Sequence, residues 1–250
     1  TWIAVNSIRS TRWMPAAWRK CVACSVAMQT KKNRRMKKLY TFISVALLGM
    51  APLFGQTAKD YFKAMPDSLT PLLTEVNKAD CIDFLESKMK AEVTNRLGQK
   101  SEMTELAPDY IRMQMTSRSF WQMKMLDVND STRVVCTIST VNGPVPDSDV
   151  CFYTTEWQEL SASSFLQMPV LEDFLSVPDS LNDNGVRQAM SQADMTLVMA
   201  NLSSKNDTLT FTFTTPRYMD SEANDVLKPF IRPVLKYVWR EGRFVPVTSL

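Results

Sequence analysis

Phe120-Trp-Gln-Met-Lys-Met-Leu-Asp-Val-Asn-Asp-Ser-Thr-Arg-Val-Val-Cys-Thr-Ile-Ser-Thr140 carries a two-residue period on both sides of a polar break. Trp121, Met123 and Met125 alternate with Gln122 and Lys124, Asp127–Ser131 supplies a turn, and Val134, Cys136 and Ile138 resume the alternation. Apolar residues at every second position predict half-buried strands, and the turn makes the pair an antiparallel hairpin. Upstream, Ile111, Met113 and Met115 alternate in the same way. Downstream, Asn142-Gly-Pro-Val-Pro-Asp147 forces a loop, followed by strands at Cys151-Phe-Tyr153 and around Trp157.

A similar order recurs later in the chain. Met195, Leu197 and Met199 alternate, Ser203–Asp207 turns, and Leu209, Phe211 and Phe213 alternate against Thr208, Thr210, Thr212 and Thr214. A polar loop from Thr215 to Asp225 precedes a strand through Leu235, Tyr237 and Trp239, which Glu241-Gly242 turns into Arg243-Phe-Val245. Helical patterns come before each set. Thr57-Ala-Lys-Asp60 caps a short helix that Met65-Pro-Asp67 ends, and Ile82, Leu85, Met89 and Val93 recur at helical spacing up to a stop at Gly98. Between the sets, Val170–Leu175 reads as a short helix. The expectation is an α+β fold of tandem helix-plus-antiparallel-meander repeats, 56–165 and 166–250, with about eight strands and helices on one face.

Charge divides the chain unevenly. The 250 residues carry a formal net charge of +3, yet residues 1–55 hold 10 Lys/Arg and no Asp/Glu, which leaves 19 basic against 26 acidic residues, about −7, in 56–250. Met36-Lys-Lys followed by the apolar run Leu39–Phe54 and a small Gly55 has the three-part layout of an export signal, cleaved near Gly55/Gln56. The run is shorter than the ~20 residues of a comfortable membrane span and is interrupted by Gly49 and Pro52. Residues 1–35 then read as an extension upstream of a start at Met36, which demotes their Cys21-Val-Ala-Cys24 and Lys31–Arg35 runs as redox, zinc or nucleic-acid sites. The expected product is periplasmic or extracellular, with no transmembrane segment after cleavage.

The opening Thr57-Ala-Lys-Asp-Tyr-Phe62, Met65-Pro-Asp-Ser-Leu69 and the meander around Phe120-Trp121 and Asp127–Ser131, behind the start Met36-Lys-Lys-Leu-Tyr40, resemble an uncharacterised family of secreted proteins from Bacteroides-like and Prevotella-like bacteria. The likeness covers about 56–250. It implies export and compactness and hands over no catalytic or binding residues. By fold-level analogy the layout is similar to the tandem helix-plus-four-strand layout of beta-lactamase inhibitor protein, which transfers shape and no activity.

Chemistry is sparse. The absence of His from the sequence excludes His-dependent triads and His-ligated metals. Cys81, placed at a helix start, lacks a His base; Cys136 and Cys151, on consecutive strands, leave both a disulfide and two free thiols open. Carboxylate pairs at Glu172-Asp173, Asp147/Asp149 and Glu156/Glu159 read as solvated surface, and Asn182-Asp-Asn-Gly185 lacks the later Glu of a calcium loop. The methionines, alternating with polar partners, read as core, and the Thr208–Thr214 ladder as an outward face. The sequence therefore assigns no catalytic, cofactor-binding or metal-ligating residue and no cofactor. It implies a non-enzymatic binding or structural module, acting on a protein or glycan through a sheet face and the loops 142–149 and 215–227. A carboxylate hydrolase or an inhibitor of a secreted enzyme is the alternative.

Overall fold

The structure, a computed structural model, describes residues 55–178, 184–193 and 195–247. The export signal, the Cys21/Cys24 pair and the Lys31–Arg35 run lie outside the described residues, apart from Gly55, as do Asn182 and Asp183 of Asn182–Gly185. Residues 56–250 form one compact unit.

Helix α1 (Ala58–Ala64) starts where the amide and hydroxyl of Thr57 both donate to the Asp60 carboxylate, at 2.8 Å each. Helix α2 (Glu75–Glu86) carries a reciprocal box: Asn77 N donates to Thr74 Oγ1 and Thr74 N to Asn77 Oδ1. The expected continuation of this helix to Gly98 is corrected. Lys88 takes a left-handed φ of 58°, Lys88 N donates to Leu85 O and Met89 N to Phe84 O, a helix-terminating motif usually built on Gly. Residues 91–94 then pair as a strand, and Gly98, at φ 73°, sits in the following hairpin turn.

Seven antiparallel strands follow in spatial order of sequence: β1 (Ala91–Thr94), β2 (Lys100–Leu106), β3 (Tyr110–Thr116), β4 (Ser119–Asn129), β5 (Thr132–Asn142), β6 (Pro146–Tyr153) and β7 (Glu159–Leu160). After α3 (Leu171–Phe174) and α4 (Asn184–Gln192), a second sheet of order β11-β10-β9-β8 is built from β8 (Val198–Leu202), β9 (Thr208–Phe213), β10 (Val234–Arg240) and β11 (Arg243–Pro246), with α5 (Ser221–Leu227) between β9 and β10. The class is α+β, with eleven strands and five α-helices among the described residues. The strands beyond the expected eight or so are β1, hidden in the helix reading, and β2, just past its expected stop; the two-residue β7 lies next to the strand expected around Trp157.

One core joins α1 and α2 to one face of the large sheet, where Phe62, Leu73 and Ile82 meet Met103, Met113, Trp121 and Met123. A second core joins the opposite face to the small sheet, through Cys136, Ile138 and Phe152 on one side and Leu209, Phe211 and Phe244 on the other. Rings extend that contact: Phe152 stacks on Phe165 at 5.0 Å, and Trp239 meets Phe244 edge-on at 4.9 Å. Strands β4 and β5 are consequently buried on both faces over much of their length, so the half-buried reading of Trp121–Met125 is corrected: Gln122 and Lys124 are buried as well.

Those polar side chains hold β8. Alternate amides of β8 donate to side chains of the large sheet: Val198 N to Asp147 Oδ1 (3.1 Å), Ala200 N to Ser148 Oγ (2.9 Å) and Leu202 N to Gln122 Oε1 (3.0 Å). Lys124, 1% exposed, reaches Asp109 before β3 at 2.8 Å and Asp207 in the β8–β9 turn at 3.4 Å. The parity of β8 also differs from expectation. Val198, Ala200 and Leu202 face inward, leaving Met199 on the outer face and Met195 exposed.

A buried ammonium stripped of its anions is costly, whereas an apolar side chain of similar size needs no partner. Asp109→Ala with Asp207→Ala is expected to lower unfolding free energy by about 3 kcal/mol, and Lys124→Met by less than about 1 kcal/mol. Urea unfolding measures both, and equal losses would contradict this account of the joint.

Candidate interaction surface

Alternation along β8–β11 gives the small sheet one packed face and one open face. Thr210 and Thr212 are half-exposed on the open face beside Asn201 and Met199, while Thr208 and Thr214, expected to stand outward with them, are buried. Thr214 instead donates its hydroxyl to Pro146 O at 2.7 Å.

On β10 and β11 the open face carries Lys236, Val238 and Arg240 opposite Arg243, Val245 and Val247. The Glu241-Gly242 turn has φ of 51° and 76°, the mirror-image hairpin turn that matches strand twist. Gly242 is required twice over, because a Cβ there would also meet Val128 Cγ1 at 2.9 Å. This turn sets Arg240 and Arg243 directly opposite each other. Lys236, Arg240 and Arg243 are exposed, and none lies within ion-pair distance of a carboxylate among the described residues. Val234 and Val247 stand 52% and 46% exposed nearby, and a shallow hollow of about 250 Å³ lies over Val238, Arg240 and Val245.

The two loops singled out from sequence meet at their roots, through the Thr214–Pro146 bond. Both prove more regular than expected. Residues 146–149 begin β6, with Asp147 and Ser148 engaged on β8, and 215–227 winds into a 3₁₀ turn and α5. They border the Val234 end of the small sheet, whereas Arg240 and Arg243 lie at the other end.

A second charged cluster was not legible beforehand. Lys90-Ala-Glu92 and Lys100-Ser-Glu102 face each other across β1 and β2; Lys90 Nζ lies 2.6 Å from Glu92 and 3.6 Å from Glu102, and Lys100 Nζ 3.3 Å from Glu92. The repeated Lys-x-Glu, a same-face spacing in a strand, was the available signal, and the helix reading concealed it. The hydrogen bonds and charges of the two lysines hold the Glu92 carboxyl below its ordinary range, which suits an ion lattice and not a proton donor. A hollow of about 450 Å³ borders it, lined also by Gln114 and Thr116. A third hollow, about 350 Å³, lies among Leu85, Leu106 and Pro108 with the 2.6 Å Lys59–Glu86 pair at its edge.

Four of the six carboxylates named from sequence serve local structure. Asp147 binds β8, Asp149 accepts from Cys151 Sγ, Asp173 accepts from Val170 N and Glu156 accepts from Thr155 Oγ1. None of the six lines the three hollows above or the fourth, between α4 and α5. Cys81 lies in the middle of α2, buried, and not at a helix start; burial pushes its thiol up to about 11. Cys136 pairs in register with Phe152, and Cys151 with Thr137, so their side chains leave opposite faces of the large sheet. A disulfide between them is excluded. Burial raises both thiols, Cys151 to about 11.

Helices, a seven-stranded sheet and a four-stranded sheet, layered in that order, define an α+β domain whose buried polar groups tie its layers together. The chain belongs to a family described as protein of unknown function (DUF3256), whose model matches residues 50–244. It is also similar to a solved structure of a domain of an uncharacterized protein from Porphyromonas gingivalis W83, at 29% identity and a TM-score of 0.67, over 75% of this chain and 97% of that one. No curated protein matches. Neither likeness bears on export or on beta-lactamase inhibitor protein. Among the described residues, no helix is long and apolar enough to cross a membrane.

The thiols yield an expected outcome. Reductant leaves the melting temperature of the purified protein unchanged, and a thiol reagent at pH 8 labels the native chain far more slowly than the urea-unfolded one, because raised thiol pKa values keep the nucleophilic thiolate scarce. A melting temperature that falls on reduction would contradict the free-thiol assignment.

Proposed function

We propose that this protein is an exported, non-enzymatic binding module of the bacterial envelope or extracellular space, and that the open face of the small sheet is its contact surface, framed at one end by 142–149 and 215–227. The observation that carries the reading is a concentration of three exposed cations that form no ion pair among the described residues, around exposed valines, on a region whose sequence charge is about −7. A basic face on an otherwise acidic domain gives an anionic partner one place of favourable potential to approach. Export rests on the Met36–Gly55 pattern and on the family resemblance in sequence.

The hydrolase alternative requires two carboxyls about 5–10 Å apart in a cleft. Glu92 and Glu102, which face each other beside one hollow, are bridged by Lys90 on an open sheet surface, and Asp220, which lines another with Glu222, is engaged in capping α5. That arrangement favours the binding reading.

Two measurements test the proposal. Mass spectrometry of the native protein should find a chain beginning near Gln56 in the envelope or culture fraction; a cytoplasmic chain that retains Met36–Gly55 would overturn export. Lysine acylation should then label Lys236 less in the native envelope than in purified protein, while exposed Lys63 and Lys88 react equally in both. Equal labelling of Lys236 would remove the surface from consideration.

A further inference from the structure

Arg240 and Arg243 close a two-residue hairpin and stand directly opposite each other in register. Like charges at such a pair repel, and neither arginine forms an ion pair among the described residues, not even with the exposed Glu241 of the turn between them. Lys236 adds a third cation on the same face of β10, about 14 Å along the strand from Arg240. Val238 and Val245 form the adjoining cross-strand pair between them. The row is thus two guanidiniums, an aliphatic step and an ammonium, with no aromatic side chain on the open face of these two strands.

We infer that this row receives an acidic polypeptide, whose carboxylate sits between Arg240 and Arg243 and whose aliphatic side chains lie on Val238 and Val245. Guanidiniums present paired donors suited to carboxylates. Sugar rings and unpaired bases are held chiefly by stacking on aromatic side chains, which this row lacks, so a polypeptide fits it better than a glycan or a nucleic acid. The inference rests on the small-sheet face being the contact surface and adds the chemistry of the partner.

A cation pair kept for a partner should be a source of strain in the free protein. At low salt, Arg243→Glu is expected to raise the melting temperature by about 1–3 °C, since it turns a repulsive cross-strand pair into an attractive one, and Arg243→Gln to raise it by less. Poly-L-glutamate is expected to raise the melting temperature of the unmodified protein and to leave Arg243→Glu unmoved. Loss of stability in both variants would overturn the inference, because the pair would then serve the fold. An equal rise with heparin would overturn it in favour of unselective anion attraction. Stabilised variants with no response to poly-L-glutamate would overturn it too, leaving the arginines as guards of the β11 edge. If Lys236 is shielded in the envelope and poly-L-glutamate has no effect, the contact surface stands and the acidic partner falls.

Discussion

Lys124 sits where the two sheets meet, and the position of the small sheet depends on what surrounds it. The ammonium is buried at the centre of the large sheet and is paired there with Asp109 and Asp207, which reach it from the turns before β3 and after β8. One of those acids belongs to each sheet, so a single cation ties the layers. Beside it, Gln122 Oε1 accepts from Leu202 N and from Tyr110 Oη, at 3.0 and 3.1 Å. Burial pushes the Tyr110 hydroxyl up to about 12, which keeps it a donor to Gln122 over the physiological range. Apolar contact alone would permit the small sheet to slide; three directed amide bonds from β8 and one shared ammonium fix its register on β4 and β6.

A second buried lysine performs the corresponding task under the helices. Lys78 on α2 donates to Met65 O and approaches Asp67 at 3.5 Å, while Arg96 pairs with the same carboxylate. The turn that ends α1 is thereby pinned to α2 and to the residues just after β1. Between these two cationic ties lies the methionine-rich core, where flexible thioethers fill the irregular space between a helix pair and a twisted sheet.

What could be read ahead of the structure follows from how local each signal is. The α1 cap, the end at Met65-Pro66 and the β4–β5 hairpin are decided by neighbours in sequence, and all three occur as expected. The end of α2 was missed because Lys88 occupies the left-handed position where Gly is the usual marker, so Met89 and Val93 continued a helical period that the backbone had already left. The burial of Gln122 and Lys124 was invisible for a different reason. Their polarity marked them as outward, and only a second sheet, arriving from residues about 80 positions later, converts an outward face into an interior one. The inverted parity of β8 has the same origin: its inward side is chosen by Asp147, Ser148 and Gln122 and not by its own Met195 and Met199. The open basic row of β10–β11 was legible as strands and turn, but its significance requires knowing that none of its cations forms an ion pair among the described residues.

The edges of the sheets narrow how such a fold can meet a partner. An unpaired strand edge invites strand addition, and all four edges of the two sheets are short or partly occupied. β8 gives alternate amides to the large sheet, β7 has two residues, and β11 gives Phe244 N to Phe165 O and ends in Pro246, which has no N–H. β1 has four residues, and Ala91 O accepts from the thiol of Cys81 at 3.7 Å. Recognition through a face is then the economical route. The helix-free side of β1 and β2 carries two lysines and two glutamates in mutual contact, and such a lattice offers an incoming charge little net attraction. On the outer face of the small sheet Lys236, Arg240 and Arg243 form no ion pair of that kind among the described residues. The cost of holding like charges together in the free protein is the physical reason to look for an anion there, and it is set by a two-residue turn whose glycine could not be replaced without colliding with Val128 of β4.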